Sequence, residues 1–185
     1  MTSTPPKRRV WLRPSIAVGN AMQIAGLVFG CLLLLGAAQA RVVGLAVPEM
    51  LVGLLLIYLS CHAIAHWLVG RLMGIRFRFY TIGGTSKPEA WPAGLRWIMD
   101  HAPFFGVLTD RDSMKTAVPA AKAAMWSAGV TSSAVLPTLA AFWCVHALVP
   151  MSKVVFLLIW SVGTIIANLA GPRGDYFKAR MALKH

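Results

Sequence analysis

Acidic residues are scarce in this chain, and charged residues of either sign are fewer than in a typical soluble domain. Six Asp and Glu residues stand against 18 Lys and Arg residues, which gives a formal net charge of +12. Charged residues make up 13% of the 185 residues, against about 25% in an average soluble domain. With 57% hydrophobic residues, the composition excludes an ordinary soluble domain and indicates a single membrane domain.

Cysteine is also scarce, and its spacing excludes two kinds of site. The three cysteines lie in apolar segments, and none of them forms a Cys-x-x-Cys pair. A thiolate zinc ribbon and a dithiol redox motif both need such pairs, so we expect buried free thiols.

The excess of Lys and Arg does not indicate a nucleic-acid partner. A nucleic-acid-binding domain presents its cations on a separate basic face. Here they cluster at the ends of apolar segments, where cations orient membrane spans and contact anionic lipid headgroups. We therefore expect lipid headgroups, and no nucleic acid, among the partners.

Four apolar segments are each long enough to cross a hydrocarbon core of about 30 Å. They run roughly over residues 16–38, 48–73, 119–148 and 154–170. The first has about 23 residues, more than the ~7–15 in the core of a signal peptide, so we expect a retained anchor. The sequence predicts an all-α integral membrane fold of four transmembrane helices, with residues 1–15 as a cytoplasmic tail and 16–185 as one membrane domain.

The distribution of cations predicts the orientation of the spans. If the N-terminus lies in the cytoplasm, 16 of the 18 Lys and Arg residues fall in inner segments or at the inner ends of the spans, while Arg41 and Lys153 fall outside. Cytoplasmic segments of membrane proteins are enriched in positive residues. We expect both termini in the cytoplasm, and the inner (cytoplasmic) membrane as the location if the chain is bacterial.

The connection between the second and third spans carries a strand pattern. Charged and aromatic residues alternate from Arg76 to Tyr80, and Gly83 and Gly84 follow. Tryptophans and prolines come next, as in segments that lie at a membrane interface. The pattern predicts a short β-hairpin and an interfacial segment between these two spans.

His62 and His66 lie four residues apart in the second span, so a helix places both on one face, one turn apart. This is the spacing of the histidine pair in zinc metalloproteases, where a glutamate follows the first histidine and acts as general base. The corresponding residue here is Ala63. Asp175 follows the fourth span at the same cytoplasmic boundary, so the three side chains can converge. Two imidazoles, a carboxylate and a water form a typical zinc ligand set, which makes this a candidate zinc site.

Four segments together are similar to a known family. They are residues 62–75 with the histidine pair, the alternating strand with its two glycines, residues 128–134 (Ala-Gly-Val-Thr-Ser-Ser-Ala) and residues 168–175 (Asn-Leu-Ala-Gly-Pro-Arg-Gly-Asp). In this order they resemble the HExxH helix, the hairpin, the Ala-Gly-Pro-x-x-Asn helix and the Asn…Pro…Asp-Gly segment of the site-2 proteases, a family of intramembrane zinc metalloproteases. The resemblance covers about residues 54–178. It implies metal ligands at His62, His66 and Asp175, and a substrate or partner groove at Gly83, Gly84, Ser133 and Asn168.

This chain departs from the site-2 protease motifs at the general base and in the segments that accompany it. Ala63 replaces the general-base glutamate, Val130 replaces the proline, Ser133 replaces the asparagine, and Tyr176 replaces the glycine. Peptide hydrolysis needs a base for the metal-bound water and an acid for the leaving amine, and such help is worth about 10²–10⁴-fold in rate. We therefore expect a non-catalytic membrane protein with a degenerate site-2-protease-like core. This pseudoenzyme would bind a membrane protein partner or form a subunit of a membrane complex.

Three other interpretations stay open at the level of sequence. One of the two histidines could ligate haem iron, or by analogy chlorophyll magnesium, in an accessory subunit of a photosynthetic or respiratory complex. The chain could be an active intramembrane protease with a displaced base, with Glu89 and Asp100 as the first candidates. The histidines could also only hydrogen-bond across the bundle, with Asp175 paired to Arg173 or Lys178.

Overall fold

The computed structural model describes residues 10–40, 43–84, 93–148, 162 and 174–184. This part of the chain is mostly helical and includes one three-stranded sheet. In chain order the elements are β1 (Val10–Leu12), α1 (Ile16–Gln39), α2 (Val43–Leu72), β2 (Phe77–Gly83), α3 (Ala93–His101), β3 (Phe104–Thr109), α4 (Arg111–Thr116), α5 (Pro119–Leu148) and α6 (Asp175–Ala182).

Helices α1 and α2 pack against each other through glycines. Ser15 caps α1, because its Oγ accepts a hydrogen bond from the Val18 amide at 3.3 Å. A Cβ on Gly30 would lie 2.9 Å from the Gly53 carbonyl oxygen, so the two backbones can come this close only at glycine. An apolar cluster is buried between the same two helices: Leu34, Ala37, Met50, Leu54 and Ile57. These contacts fix α2, the helix that carries the histidine pair, against α1.

Two helices are candidate membrane spans by length and composition. They are α1 and, within α2, the segment Gly44–Leu72. Apolar side chains of α1 face outward, for example Phe29, which is 62% exposed. The Cys31 thiol is exposed on the same helix, whereas the Cys61 thiol on α2 is buried. The expected burial of the thiols is therefore confirmed for Cys61 and wrong for Cys31.

The third predicted span is a helix, since α5 covers the predicted residues 119–148. The fourth predicted span, residues 154–170, lies outside the described residues except for residue 162, which is helical. The structure therefore supports two of the predicted spans, α1 and α2, and the count of four stays a prediction.

Strand β2 lies between β1 and β3 and is antiparallel to both. The strand expected from the alternation after the second span is confirmed as β2. The predicted hairpin differs from the observed strand pair, because β2 and β3 are connected through α3 and not by a tight turn. Strand β1 comes from the stretch predicted as an N-terminal tail, and its Val10 pairs with Gly83. The sheet thus ties the residues before α1 to the connection between α2 and α5.

Two features hold the sheet at the end of α2. Gly74 has a φ of 82°, in the left-handed region that favours glycine, and it lies in the turn where α2 ends and the chain enters β2. Tyr80 of β2 is fully buried and packs against Gly19 of α1. Its hydroxyl donates a hydrogen bond to Asn20 Oδ1 at 2.6 Å. The end of α2 that follows the histidine pair is therefore held by both the sheet and α1.

Candidate metal centre

Three side chains from two helices meet at one point. His62 and His66 lie on one face of α2, and Asp175 is the first residue of α6. The Nε2 atoms of the two histidines are 3.2 Å apart. Asp175 Oδ2 lies 3.2 Å from Nε2 of His62 and 3.4 Å from Nε2 of His66. The predicted convergence is confirmed, since the three side chains lie close enough to bind a metal ion.

A backbone carbonyl fixes the tautomer of His66. Nδ1 of this buried ring lies 2.6 Å from the carbonyl oxygen of Met125 on α5. Because a carbonyl oxygen only accepts hydrogen bonds, Nδ1 must carry the proton. In the neutral ring, Nε2 is then left with a free lone pair that faces His62 and Asp175. Metal-binding histidines are commonly oriented in this way, through a hydrogen bond from the other ring nitrogen.

A serine on α5 holds His62 in the matching orientation. His62 Nδ1 lies 3.0 Å from Ser133 Oγ, and Ser133 is buried. When Ser133 Oγ accepts a hydrogen bond from Nδ1–H of His62, this ring also directs its Nε2 lone pair at the common point. The same hydroxyl accepts a hydrogen bond from the Cys61 thiol of α2, with a distance of 3.8 Å between Sγ and Oγ. Ser133 is therefore itself held in place by α2. Helix α5 therefore orients both rings, one through its backbone and one through a side chain.

The convergence of these atoms favours a cation. Two imidazole lone pairs and a carboxylate oxygen repel one another unless a proton or a metal ion lies between them. Nitrogen and oxygen ligands lie about 2.0–2.1 Å from a tetrahedral zinc, which places neighbouring ligands about 3.3–3.4 Å apart. The three separations here, 3.2, 3.2 and 3.4 Å, lie close to the edges of such a tetrahedron, two of them slightly shorter. The donor set therefore fits one face of a four-coordinate site, with the fourth position open.

Asp175 uses its two carboxylate oxygens for different partners. Oδ1 accepts a hydrogen bond from Lys178 Nζ at 2.8 Å, one turn along α6, and Oδ2 faces the histidines. Burial alone would raise the pKa of Asp175. With a proton on the facing imidazole nitrogens, Oδ2 accepts hydrogen bonds from His62 and His66, and these bonds together with the Lys178 ammonium hold this pKa well below its usual range. The carboxyl group is therefore ionised at neutral pH, the form that ligates metals. The ion pair considered as an alternative from the sequence is present, and it coexists with the histidine contacts.

The position of the missing base is closed to solvent. Ala63 follows His62 on α2 and is fully buried. Among the described residues, Asp175 is the one carboxylate in the cluster. Of the two candidates for a displaced base, Asp100 lies against Gly84 after β2, and Glu89 falls outside the described residues.

The residues assigned to a groove by resemblance lie in different places. Ser133 contacts His62 and orients its ring. Gly83 ends β2, where it pairs with both β1 and β3, and Gly84 follows it. Asn168 lies outside the described residues.

Two parts of the site were not predicted as site residues. The Met125 carbonyl that fixes His66 has no signature in a sequence, because every residue has a carbonyl. Lys178 Nζ lies 4.4 Å from the centre of the Trp126 ring, and that ring meets the His66 ring edge to face at 5.7 Å. The spacing of Asp175 and Lys178 on a helix does signal their ion pair, whereas the contact with Trp126 depends on how α6 packs on α5.

The chain matches no protein-family model, no curated protein and no solved structure. The resemblance to site-2 proteases therefore stays a prediction from the sequence, and the functional argument rests on the geometry of the site.

Proposed function

We propose that this chain is an integral membrane protein that holds a zinc ion at His62, His66 and Asp175 without catalysing proteolysis. In this proposal its core is a degenerate relative of the site-2 proteases. It serves as a binding partner or as a subunit of a membrane complex, with the groove residues or the outer helix faces as the contact surface.

The observation that carries the metal assignment is the convergence of two oriented imidazole nitrogens and an ionised carboxylate oxygen, all within 3.4 Å of one another. Imidazole suits several transition metals, and two histidines with one carboxylate and an open position form a common zinc ligand set. The hydrogen bonds of His66 to Met125 and of His62 to Ser133 orient the ligands, as outer-shell partners do in metalloproteins.

The absence of a base supports a binding role. A zinc ion lowers the pKa of its bound water to about 7, but peptide hydrolysis also needs proton transfer to the leaving amine. Ala63 offers no titratable group, and the described part of the chain places no second carboxylate in the cluster. A metal held here would serve to join α2 to α6 and to shape the surface between them.

The alternative of a macrocyclic pigment is less compatible with this geometry. An axial histidine needs free space in front of its Nε2 atom for the plane of the macrocycle. Here the Nε2 atom of each histidine faces the other at 3.2 Å, and Asp175 lies within 3.4 Å of both. This arrangement leaves space for an ion and favours zinc over haem or chlorophyll.

Metal content and proteolysis together test this proposal. The full chain, purified in mild detergent, is expected to retain about one zinc ion per chain, since two imidazoles and a carboxylate supply three protein ligands. It is expected to leave a transmembrane peptide uncleaved. Elemental analysis, an absorption spectrum and a gel-based cleavage assay measure these outcomes. A metal-free chain would contradict the metal centre, and a porphyrin or chlorophyll spectrum would favour the accessory-subunit alternative.

His62→Ala controls for a contaminating protease in the cleavage assay. Cleavage by the wild-type chain that disappears in His62→Ala would contradict the non-catalytic role and show that another residue serves as base. Cleavage that persists in the variant would be assigned to a contaminant.

Ala63→Glu is expected to restore little or no cleavage. The alanine side chain is fully buried, so a carboxylate there must be accommodated in a closed space. Val130 and Ser133 also depart from the family in the segment that would bind substrate. Ala63→Gln is the matched control, because it adds the same bulk without an acid. Cleavage by the Glu variant and not by the Gln variant would show that the substrate-binding part is intact.

We also propose that both termini lie in the cytoplasm, on the basis of the 16 of 18 cations that this orientation places inside. Reporter fusions after Arg41 and after Lys153 are expected to give the signal of the outer side. Fusions after Arg76 and at the C-terminus are the matched inner controls. A cytoplasmic signal from either of the first two fusions would contradict the proposed topology.

A further inference from the structure

An open cavity of about 570 Å³ lies where the start of α5 meets α6. Its described lining consists of lysines and apolar residues, with no acidic residue among them. The lysines are Lys115, Lys122 and Lys178, and Pro119 and Met181 are among the apolar residues. Three cations from three different helices therefore face one space.

Two of these cations form no ion pair within the described part of the chain. Lys178 pairs with Asp175, but neither Lys115 nor Lys122 forms an ion pair with a described residue. Lys122 Nζ donates instead to the carbonyl oxygen of Lys115 at 3.4 Å, which holds its charge next to that lysine. Cations gathered in this way, with no acidic residue in the described lining, create a positive potential that attracts an anion.

The start of α5 adds to the same potential. This helix of 30 residues begins at Pro119, which lines the cavity, and has no acidic residue in its first turn. The first amides of a helix lack intrahelical acceptors, and its dipole favours negative charge at this end. The start of α5 and the lysine side chains therefore both contribute positive electrostatic potential to the same cavity.

We propose that this cavity binds a phosphate group, with Lys115 and Lys122 as its main cationic contacts. Phosphate offers strong acceptor oxygens and up to two negative charges, and lysine binds it as a point charge. The cavity volume lies within the range of small-ligand sites, about 300–1,000 Å³. The cavity is therefore large enough to hold a phosphate together with the group to which it is attached. The two sources of this chemistry are the phosphomonoester headgroup of a lipid and free inorganic phosphate.

The phosphate site and the metal centre use different residues, and only Lys178 contacts both among the described residues. That side chain lines the cavity and also contacts Asp175, so it is left unchanged in the test. The phosphate site requires neither bound zinc nor a non-catalytic role. A failed metal analysis and a failed phosphate experiment therefore reject different proposals.

The test measures binding to the full chain in mild detergent by isothermal titration calorimetry. One probe is inorganic phosphate, compared with chloride at equal ionic strength. The other is mixed micelles that contain phosphatidic acid, compared with micelles that contain phosphatidylcholine. The double variant Lys115→Gln with Lys122→Gln is expected to weaken binding about tenfold or more, the loss that accompanies removal of hydrogen bonds from charged groups.

The matched control is Arg71→Gln with Arg78→Gln, which removes two exposed cations from α2 and β2, outside the cavity lining. It is expected to change affinity within about twofold, because screened charges elsewhere contribute little. If the lysine double variant does not purify, the two single variants replace it.

Each outcome supports or rejects the phosphate site, or shows whether the phosphate group comes from a lipid headgroup or from the free ion. Binding of phosphatidic acid alone supports a site for a lipid headgroup, and binding of inorganic phosphate alone or of both probes supports a site for phosphate that is also open to the free ion. Binding of neither probe would reject the site. Equal weakening in the lysine and arginine variants would also reject it, because the effect would then reflect net charge only.

Discussion

Replacing His66 with alanine is expected to abolish stable metal binding by the purified chain. The substitution removes one of the three proposed protein ligands, the one whose tautomer is fixed by the Met125 carbonyl. Loss of an outer-shell partner alone costs about 10–100-fold in metal affinity, so loss of the ligand itself should cost more than about 100-fold. Elemental analysis and competition with a chromophoric chelator measure the change.

The control for this prediction is His101→Ala. His101 lies on α3, is exposed, and its Nδ1 lies 2.9 Å from the carbonyl oxygen of Trp97. Its removal changes the histidine count equally but does not touch the cluster of His62, His66 and Asp175. Retention of zinc by the His66 variant at wild-type affinity would rule out the proposed ligand set, whereas equal loss in both variants would point to nonspecific binding.

Gly129→Ala is expected to damage the same site by steric overlap. A Cβ on Gly129 would coincide with the His66 ring, closest to Nε2, Cδ2 and Cε1. The ring has little room to move, because it is buried and its Nδ1 is bound to the Met125 carbonyl. Overpacking of this kind typically costs about 1–3 kcal/mol of unfolding free energy, and here it would also displace a proposed metal ligand. We expect loss of zinc together with lower stability.

Gly94→Ala makes the same chemical change where there is space. A Cβ on Gly94 of α3 would meet no atom within 4 Å. Alanine favours a helix over glycine by about 0.8–1.0 kcal/mol at most, so this variant should be as stable as the wild type or slightly more so. Thermal unfolding in detergent and metal content are measured for both variants. A Gly129 variant that behaves like the Gly94 variant would contradict the close packing of α5 on the histidine pair.

Features that depend on local spacing could be predicted from the sequence. The pairing of His62 and His66 on one face follows from the helical period alone, and β2 follows from its alternation. The bounds of α5 also agree with the apolar run from which they were predicted. In each case the residues that define the pattern are neighbours in the chain, so one period describes them all.

Other features were decided only by the packing of distant segments. The sequence placed Asp175 at the depth of the histidines, but its approach to within 3.4 Å depends on the packing of α6 against α2 and α5. The pairing of β1 with β2 and the insertion of α3 before β3 likewise required the folded chain, because strand partners are not encoded by a local period. The cavity at the start of α5 combines lysines from α4, α5 and α6 that share no motif.

The sequence by itself determined which residues could ligate a metal and that the usual base is missing at Ala63. The tertiary structure decided that the ring nitrogens and the carboxylate oxygen of these residues face one another. It did so through a carbonyl of Met125 and a hydroxyl of Ser133 on α5. The physical reason is that a tautomer and a ring orientation depend on hydrogen bonds to another helix, and those bonds exist only once α5 has packed against α2.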